Sequence, residues 1–263
     1  MNIIFYIVIF VIGAILGSFY AIQITRSLKN KTIIDVNSYC PICGKKIGIL
    51  EKIPIISYIL LKGKCKHCKK KINKIYIILE IVTPIILVFT AIGLNLNVMA
   101  IETNNMLSFV FITLYYTYII LTIGRDFAKK EMNQSLVAYG IVISIIYINY
   151  LCIQKATTLL INTIYLIIII ILLLLNINNT KKRAQSSYVL DLLMMILIMN
   201  IFTTEFICIL TIGATLLTIA IYVLINKFKN KKQRDNGKFS NNIRIVSVMG
   251  ILNILTFLIF INV

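Results

Sequence analysis

Tryptophan is absent from the 263 residues, histidine occurs once and proline three times. Three prolines and eleven glycines exclude a collagen-like or Pro/Gly-rich disordered chain. Acidic residues are also scarce, with nine Asp and Glu against 27 Lys and Arg, a net charge of +18. One histidine, placed in a cysteine-rich loop, leaves none for a Ser-His-Asp hydrolase. No Walker or dinucleotide glycine pattern occurs either. What the chain has in abundance is apolar length. It is 59% hydrophobic with a mean hydropathy of +0.93, more than a soluble domain can bury in its own core. The expected class is an all-α polytopic integral membrane protein.

A bilayer core of about 30 Å asks for about 20 apolar residues per helix. Eight segments meet this expectation, at 3–24, 75–96, 106–124, 135–153, 157–176, 188–202, 206–226 and 243–262. The first has no basic start and is twice the length of a signal-peptide core, so it reads as a span. Val189 to Ile225 is one apolar run of 37 residues, about 56 Å as a helix and too long for one crossing. Asn200, Thr203, Thr204 and Glu205 interrupt it and mark a turn.

Basic residues concentrate in cytoplasmic loops of membrane proteins. With these spans, 26 of the 27 fall on one side, and only Lys155 lies opposite, where the outer loops carry Glu102 and Glu205. The N-terminus is therefore expected outside and the segment 25–74 in the cytoplasm. Orientation and attraction to anionic headgroups explain +18 without nucleic acid, so the lipid bilayer is the expected partner and nucleic acid is not.

The cytoplasmic segment contains Cys40-Pro41-Ile42-Cys43, then 21 residues, then Cys65-Lys66-His67-Cys68. Each C-x-x-C places two thiolates on one tight turn, and two such turns supply the four soft ligands of a tetrahedral structural Zn²⁺ site. Four thiolates around Zn²⁺ leave a charge of −2, which suits the surrounding Lys45, Lys64, Lys66, Lys69, Lys70 and Lys71. The alternative is a basic loop with free thiols. His67 reads as a neighbour of the site, and Cys152 and Cys208, within apolar spans, as small hydrophobes.

Two carboxylates stand at the same expected depth, Asp126 at the cytoplasmic end of the third span and Asp191 at the cytoplasmic start of the sixth. Ionisable side chains at a membrane are costly and are functional candidates by default. Two Asp brought together share a proton, so that one acts as base and the other as acid, the logic of aspartic proteases. The structural alternatives are pairing of Asp126 with Arg125 or Lys129, and stabilisation of a helix N-terminus by Asp191. Glu80, within the second span, pairs with Lys74 or faces a polar interior. Glu205 reads as an outer-loop residue.

These motifs resemble those of the type IV prepilin peptidases, the bifunctional leader peptidases and N-methyltransferases that are membrane aspartic proteases. Gly17-Ser18-Phe19 with Arg26 resembles the family's G-S-F-x-N-V-x-x-x-R. Cys40 to Cys43, Ile53-Pro54-Ile55-Ile56-Ser57-Tyr58, and Lys62 to Cys68 resemble C-P-x-C, N-I-P-x-x-S-W and R-G-R-C-x-x-C. Tyr76 and Glu80 match Y-P-x-V-E, with Ile77 in place of its proline. Asp126 opens a stretch of the length of D-x-x-x-x-x-x-P-D-x-L, with Asn133 and Gln134 where Pro and Asp occur. Asp191 is similar to the Asp of G-x-G-D, with Tyr188 and Leu190 at the glycines and Leu193 at the following Lys.

The resemblance implies a single membrane domain over 1–263, with a cytoplasmic Cys₄ zinc insert at 27–74 and an aspartic-peptidase helical core at 106–262. It implies Asp126 and Asp191 as the catalytic dyad, a type IV prepilin-like or pseudopilin precursor as substrate, and cleavage at the cytoplasmic face of the bacterial plasma membrane. It also implies methylation of the new N-terminus with S-adenosylmethionine, although no residue here independently marks a methyl-donor pocket. The replaced glycines carry a second reading, a catalytically impaired relative that binds pilin-like helices or assembly partners.

Overall fold

A computed structural model describes residues 2–28, 39, 40, 42–48, 50–96, 102–127, 134–154, 164, 165, 167, 168, 171, 185–230 and 244–262. The side chains at 2, 26–28, 134, 185–191 and 222–230 lie outside that description. The described residues are helical apart from turns and two isolated bridges. In chain order the helices are α1 (Asn2–Leu28), a 3₁₀ turn (Leu50–Lys52), α2 (Ile56–Leu60), α3 (Lys74–Gly93), α4 (Thr103–Phe127), α5 (Gln134–Ile153), α6 (Gln185–Phe202), α7 (Glu205–Asn230) and α8 (Ile245–Ile261).

Seven of the eight expected spans coincide with helices, and the 157–176 span lies outside the described residues except for five positions. The break expected after Asn200 falls at Thr203 and Thr204, between α6 and α7, and Glu205 opens α7 instead of lying in a loop. Among the described residues, four stretches are long and apolar enough to cross a membrane, Ile3–Thr25, Lys74–Gly93, Thr103–Phe127 and Ser135–Ile153. Leu192–Phe202, Glu205–Ile221 and Ile245–Ile261 are shorter apolar helices among the described residues. A chain so built is a membrane protein.

The chain forms two compact units, Met1–Thr113 with Ile261–Val263, and Leu114–Phe260. The first is organised by α1 against α3. Ile9, Gly13, Gly17, Ala21 and Ile24 recur every three or four residues on α1 and are all buried. A Cβ on Gly13 would lie 2.5 Å from Pro84 Cα, and one on Gly17 would lie 2.4 Å from the Leu79 carbonyl oxygen. The two backbones therefore touch, as small residues four apart permit in lipid, where no hydrophobic force drives helices together. Both ends of this antiparallel pair are tied. Tyr6 donates to the Leu96 carbonyl at 3.2 Å, and Thr25 Oγ1 lies 2.7 Å from the Tyr76 hydroxyl. Asn73 caps α3, its side chain accepting from the Ile75 N–H at 3.1 Å.

The second unit packs around tyrosines and methionines. Tyr115, Tyr116, Tyr118 and Ile119 of α4 are fully buried, as are Met194, Met195, Ile198 and Met199 of α6. Phe202 stacks between Tyr115 and Tyr147, with ring centroids at 5.0 and 4.5 Å. Tyr115 donates to Asn253 Oδ1 of α8 at 2.5 Å, which satisfies the buried phenol and the amide oxygen but leaves Asn253 Nδ2 without a partner among the described residues.

Two glycine substitutions separate the α1–α3 contact from helix propensity. Gly17→Ala forces a methyl against backbone that cannot swing away, and the expected loss is about 1–3 kcal/mol. Gly213, on α7, has nothing within 4 Å of its would-be Cβ. Gly213→Ala is expected to leave stability unchanged or to raise it by about 1 kcal/mol at most. Thermal unfolding of both variants in detergent reads the opposite signs directly.

Candidate metal centre and membrane-boundary carboxylates

The two cysteine turns are built alike. In the first, the Gly44 N–H donates to the Cys40 carbonyl and the Cys40 N–H to the Lys45 carbonyl, both at 2.9 Å. In the second, the Lys69 N–H donates to the Cys65 carbonyl at 3.0 Å and the Cys65 N–H to the Lys70 carbonyl at 2.9 Å. Bridges Tyr39–Lys46 and Lys64–Lys71 close the turns. The residue after the second cysteine has positive φ in each, +69° at Gly44 and +56° at Lys69. Glycine takes that conformation at no steric cost, whereas lysine is strained there.

This repetition aims four thiols at one point. The Sγ atoms of Cys40, Cys43, Cys65 and Cys68 all lie within 4.8 Å of one another, with Cys40 and Cys68 Sγ 3.8 Å apart. Zinc–sulfur bonds of about 2.3 Å in a tetrahedron set the sulfurs about 3.8 Å apart, so the donor set and its spacing fit Zn²⁺. His67 is not in the cluster. Burial pushes the Cys40 thiol up, but the Cys43 and Ile42 backbone N–H groups and the neighbouring thiols outweigh it, leaving Cys40 lowered to about 7. The Lys70 backbone N–H pulls Cys68 down, yet burial and the other thiols raise it to about 11.

Two acidic residues anchor the module. Glu51 Oε1 pairs with Lys66 Nζ at 3.2 Å, and Oε2 accepts from the Gly48 N–H at 3.3 Å, joining the segment between the turns to the second turn. The Lys66 contact also holds the Glu51 carboxyl below its ordinary range. Glu80, buried on α3, accepts the Ile55 N–H on Oε2 at 2.7 Å. That bond resolves the alternatives for Glu80, which holds the loop backbone and not Lys74. Ile55 sits at φ +63°, a strained conformation for a β-branched residue that the Glu80 bond helps maintain.

Asp126 lies in the last turn of α4, where the sequence places it. Its Oδ2 accepts both the Ser247 N–H at 2.9 Å and the Ser247 hydroxyl at 2.5 Å. Ser247 is the third residue of α8, so its N–H is among those a helix start leaves unbonded, and Asp126 caps α8 from another helix. Beside it, the Arg244 guanidinium lies over the Phe127 ring at 4.6 Å from the centroid. Nothing in the local sequence signals the Ser247 pairing, which crosses 121 residues. Asp191 lies in the second turn of α6, and its side chain is outside the described residues, as is all of Lys129. An open apolar cleft of about 480 Å³ lies toward the other end of α6, with Asn200 and Glu205 as its polar lining.

A family model described as Bacterial Peptidase A24 N-terminal domain matches residues 11–94. A prepilin leader peptidase/N-methyltransferase of Vibrio cholerae is 41% identical over 85 residues, 29% of this chain and 34% of that protein. One from Bacillus subtilis is 37% identical over 91 residues, 35% of this chain and 36% of that protein. A type 4 prepilin-like proteins leader peptide-processing enzyme of Escherichia coli is 32% identical over 91 residues, 28% and 34% of the two chains. The chain thus spans about a third of the length of these curated relatives. No solved structure matches it.

Metal analysis of the purified protein is expected to return one zinc per chain, and Cys65→Ser to reduce it severalfold. Because thiolates bind the metal, protons compete with it, and affinity falls as pH falls. Below about 7, where Cys40 takes up its proton in the metal-free site, zinc must displace that proton as well, and release on acidification is expected to steepen there. Glu80→Ala leaves the Ile55 N–H without its charged acceptor and is expected to cost about 1.5–3 kcal/mol. Limited proteolysis of residues 50–60 should accelerate in that variant.

Proposed function

We propose that this chain, similar to the prepilin leader peptidases through its N-terminal third, is a prepilin leader peptidase of the bacterial plasma membrane. The observation that carries this reading is the peptidase domain match at 11–94, with its four clustered thiols, in a chain where Asp126 also stands at the end of a membrane-length helix. In this reading eight helices cross the bilayer, the N-terminus is outside, and the cysteine module and both Asp face the cytoplasm. The substrate is a type IV pilin-like or pseudopilin precursor, whose basic leader remains cytoplasmic while its apolar helix enters the membrane.

Asp126 and Asp191 form the dyad. One carboxylate takes a proton from water as it attacks the scissile carbonyl, and the protonated partner donates to the carbonyl oxygen. Zn²⁺, when bound by the four cysteines, supplies structural cross-linking of the loop and takes no chemical part. S-adenosylmethionine, as methyl donor, belongs to this reading through the relatives' names alone. A second reading, a relative that binds pilin-like helices without cutting them, has one observation in its favour. Residues 185–202 are a single helix, with Tyr188 and Leu190 in the turn before Asp191.

Co-expression with a prepilin-like precursor, followed by mass spectrometry of its N-terminus, decides between them. The processed N-terminus is expected with wild type and should vanish with Asp126→Ala or Asp191→Ala. One added methyl mass on the product would establish the second activity. Asp126→Asn retains an oxygen that accepts from Ser247 but cannot serve as base. It should therefore keep wild-type thermal stability while losing cleavage. Ser247→Ala should instead cost about 1 kcal/mol of stability while retaining measurable cleavage. Cleavage by Asp126→Asn at the wild-type rate would reduce Asp126 to a helix cap.

A further inference from the structure

Residues 39–74 carry ten lysines and a single acid, Glu51, which is already paired with Lys66. Among these cations the loop exposes large apolar side chains. Leu50, on the 3₁₀ turn, is 78% exposed, Leu60 at the end of α2 is 75% exposed, and Ile42, Ile56 and Ile59 are also exposed. Exposed aliphatic groups rimmed by charge mark an interaction surface. Burial within the loop does not account for them.

Their depth follows from one bond. Glu80 is six residues beyond the start of α3, about 9 Å along its axis. Its carboxylate holds the Ile55 N–H at 2.7 Å, so the residue preceding α2 lies alongside the first turns of a membrane-length helix and not beyond its end. Five-residue α2 and its exposed Ile56, Ile59 and Leu60 are thereby kept near the level where α3 enters the bilayer.

We infer that the cysteine module rests on the membrane as an interfacial foot, with the α2 aliphatic side chains in the headgroup–acyl boundary and the surrounding lysines on anionic phospholipid phosphates. Charge selects this occupant. A basic leader peptide would be repelled by the lysines left over after Glu51 and the zinc thiolates are offset, whereas an anionic leaflet attracts them, and aliphatic insertion with basic flanks is the pattern of interfacial segments. Clamped by Glu80 and closed by the cysteine turns, the foot would fix the module's height over the leaflet. The inference rests on α1 and α3 crossing the bilayer and not on peptidase activity.

Because the chain has no tryptophan, one introduced indole reports alone. Leu60→Trp in the zinc-loaded 263-residue chain is placed in nanodiscs with a tryptophan-free belt, made of phosphatidylcholine with or without phosphatidylglycerol, with bromine on the upper acyl chain as quencher. Blue-shifted emission is expected, with most of its intensity lost to brominated lipid in the anionic discs and a smaller loss in the neutral ones. Combining it with Lys62→Gln, Lys64→Gln, Lys70→Gln and Lys71→Gln should erase the difference between disc types. Zinc content checks the fold of each variant, and Ile59→Trp replaces any that lose it. Water-like, unquenched emission in both discs would overturn the inference, as would quenching indifferent to lipid charge. A blue shift that arises only when a prepilin-like precursor is added would assign the surface to protein docking instead. Loss of cleavage in the same preparations leaves the fluorescence result intact, so the two readings fail separately.

Discussion

The contact of α1 and α3 at Gly13 and Gly17 is the constraint on which the first unit depends. Lipid gives two apolar helices little reason to associate, because their side chains are as well solvated by acyl chains as by each other. Bringing backbones into contact changes that balance through close van der Waals packing, and it requires the absence of Cβ at two positions one helical turn apart. Everything carried between the helices inherits this geometry. The Thr25–Tyr76 bond draws the chain's exit from α1 to its return at α3, and Glu80, one residue from the Gly17 contact, reaches back to hold Ile55. Removal of the contact would loosen the platform on which two cysteine turns are aimed at each other.

The basic character of the loop answers more than one requirement. A tetrathiolate zinc site carries −2, and burying that charge without counterions would be costly. Lysines on and between the two turns offset it, and Lys66 is also committed to Glu51. Lys69 occupies a left-handed position that glycine takes in the first turn, so a charge is retained there at some cost in backbone strain. The lysines in excess of what two negative charges require are the ones left for a further partner, which is why charge and exposed aliphatic residues together point to lipid.

Several elements were legible because their physical signal is local. Apolar runs of membrane length give the helices, the polar break at Asn200 to Glu205 gives the α6–α7 turn, and C-x-x-C spacing gives convergent thiols. Glu80 was visible as an anomaly, an acid inside an apolar span, but its acceptor role depends on a loop 25 residues earlier. The α1–α3 glycine seam is present in the letters, and Gly17 lies within a family-like motif. Its packing role needs the partner helix. The bond between Asp126 and Ser247 is the clearest case of information absent from local sequence, since neither the α4 terminus nor the α8 terminus specifies which helix it will meet. Charge pairing with Arg125 or Lys129 was the natural local expectation for Asp126. Among the described residues, a helix N-terminus from a distant part of the chain supplies a partner that the local sequence does not signal.

The same comparison bears on how a peptidase of this construction would hold its substrate. A helix starting at Gln185 uses the N–H groups from about the fifth residue onward in its own ladder, and those of Leu190 and Asp191 are therefore already bonded. Glycines before a catalytic Asp would permit a bent backbone that offers such groups to an extended peptide, whereas Tyr188 and Leu190 favour the continuous helix seen here. If Asp191 serves as proposed, substrate binding there would rely on side chains and on the neighbouring helices more than on α6 backbone. Asp126 differs in kind, because Oδ2 already engages a serine whose N–H and hydroxyl fix its orientation. In the proposed dyad, Asp126 would thus meet the substrate already oriented by a partner from another helix.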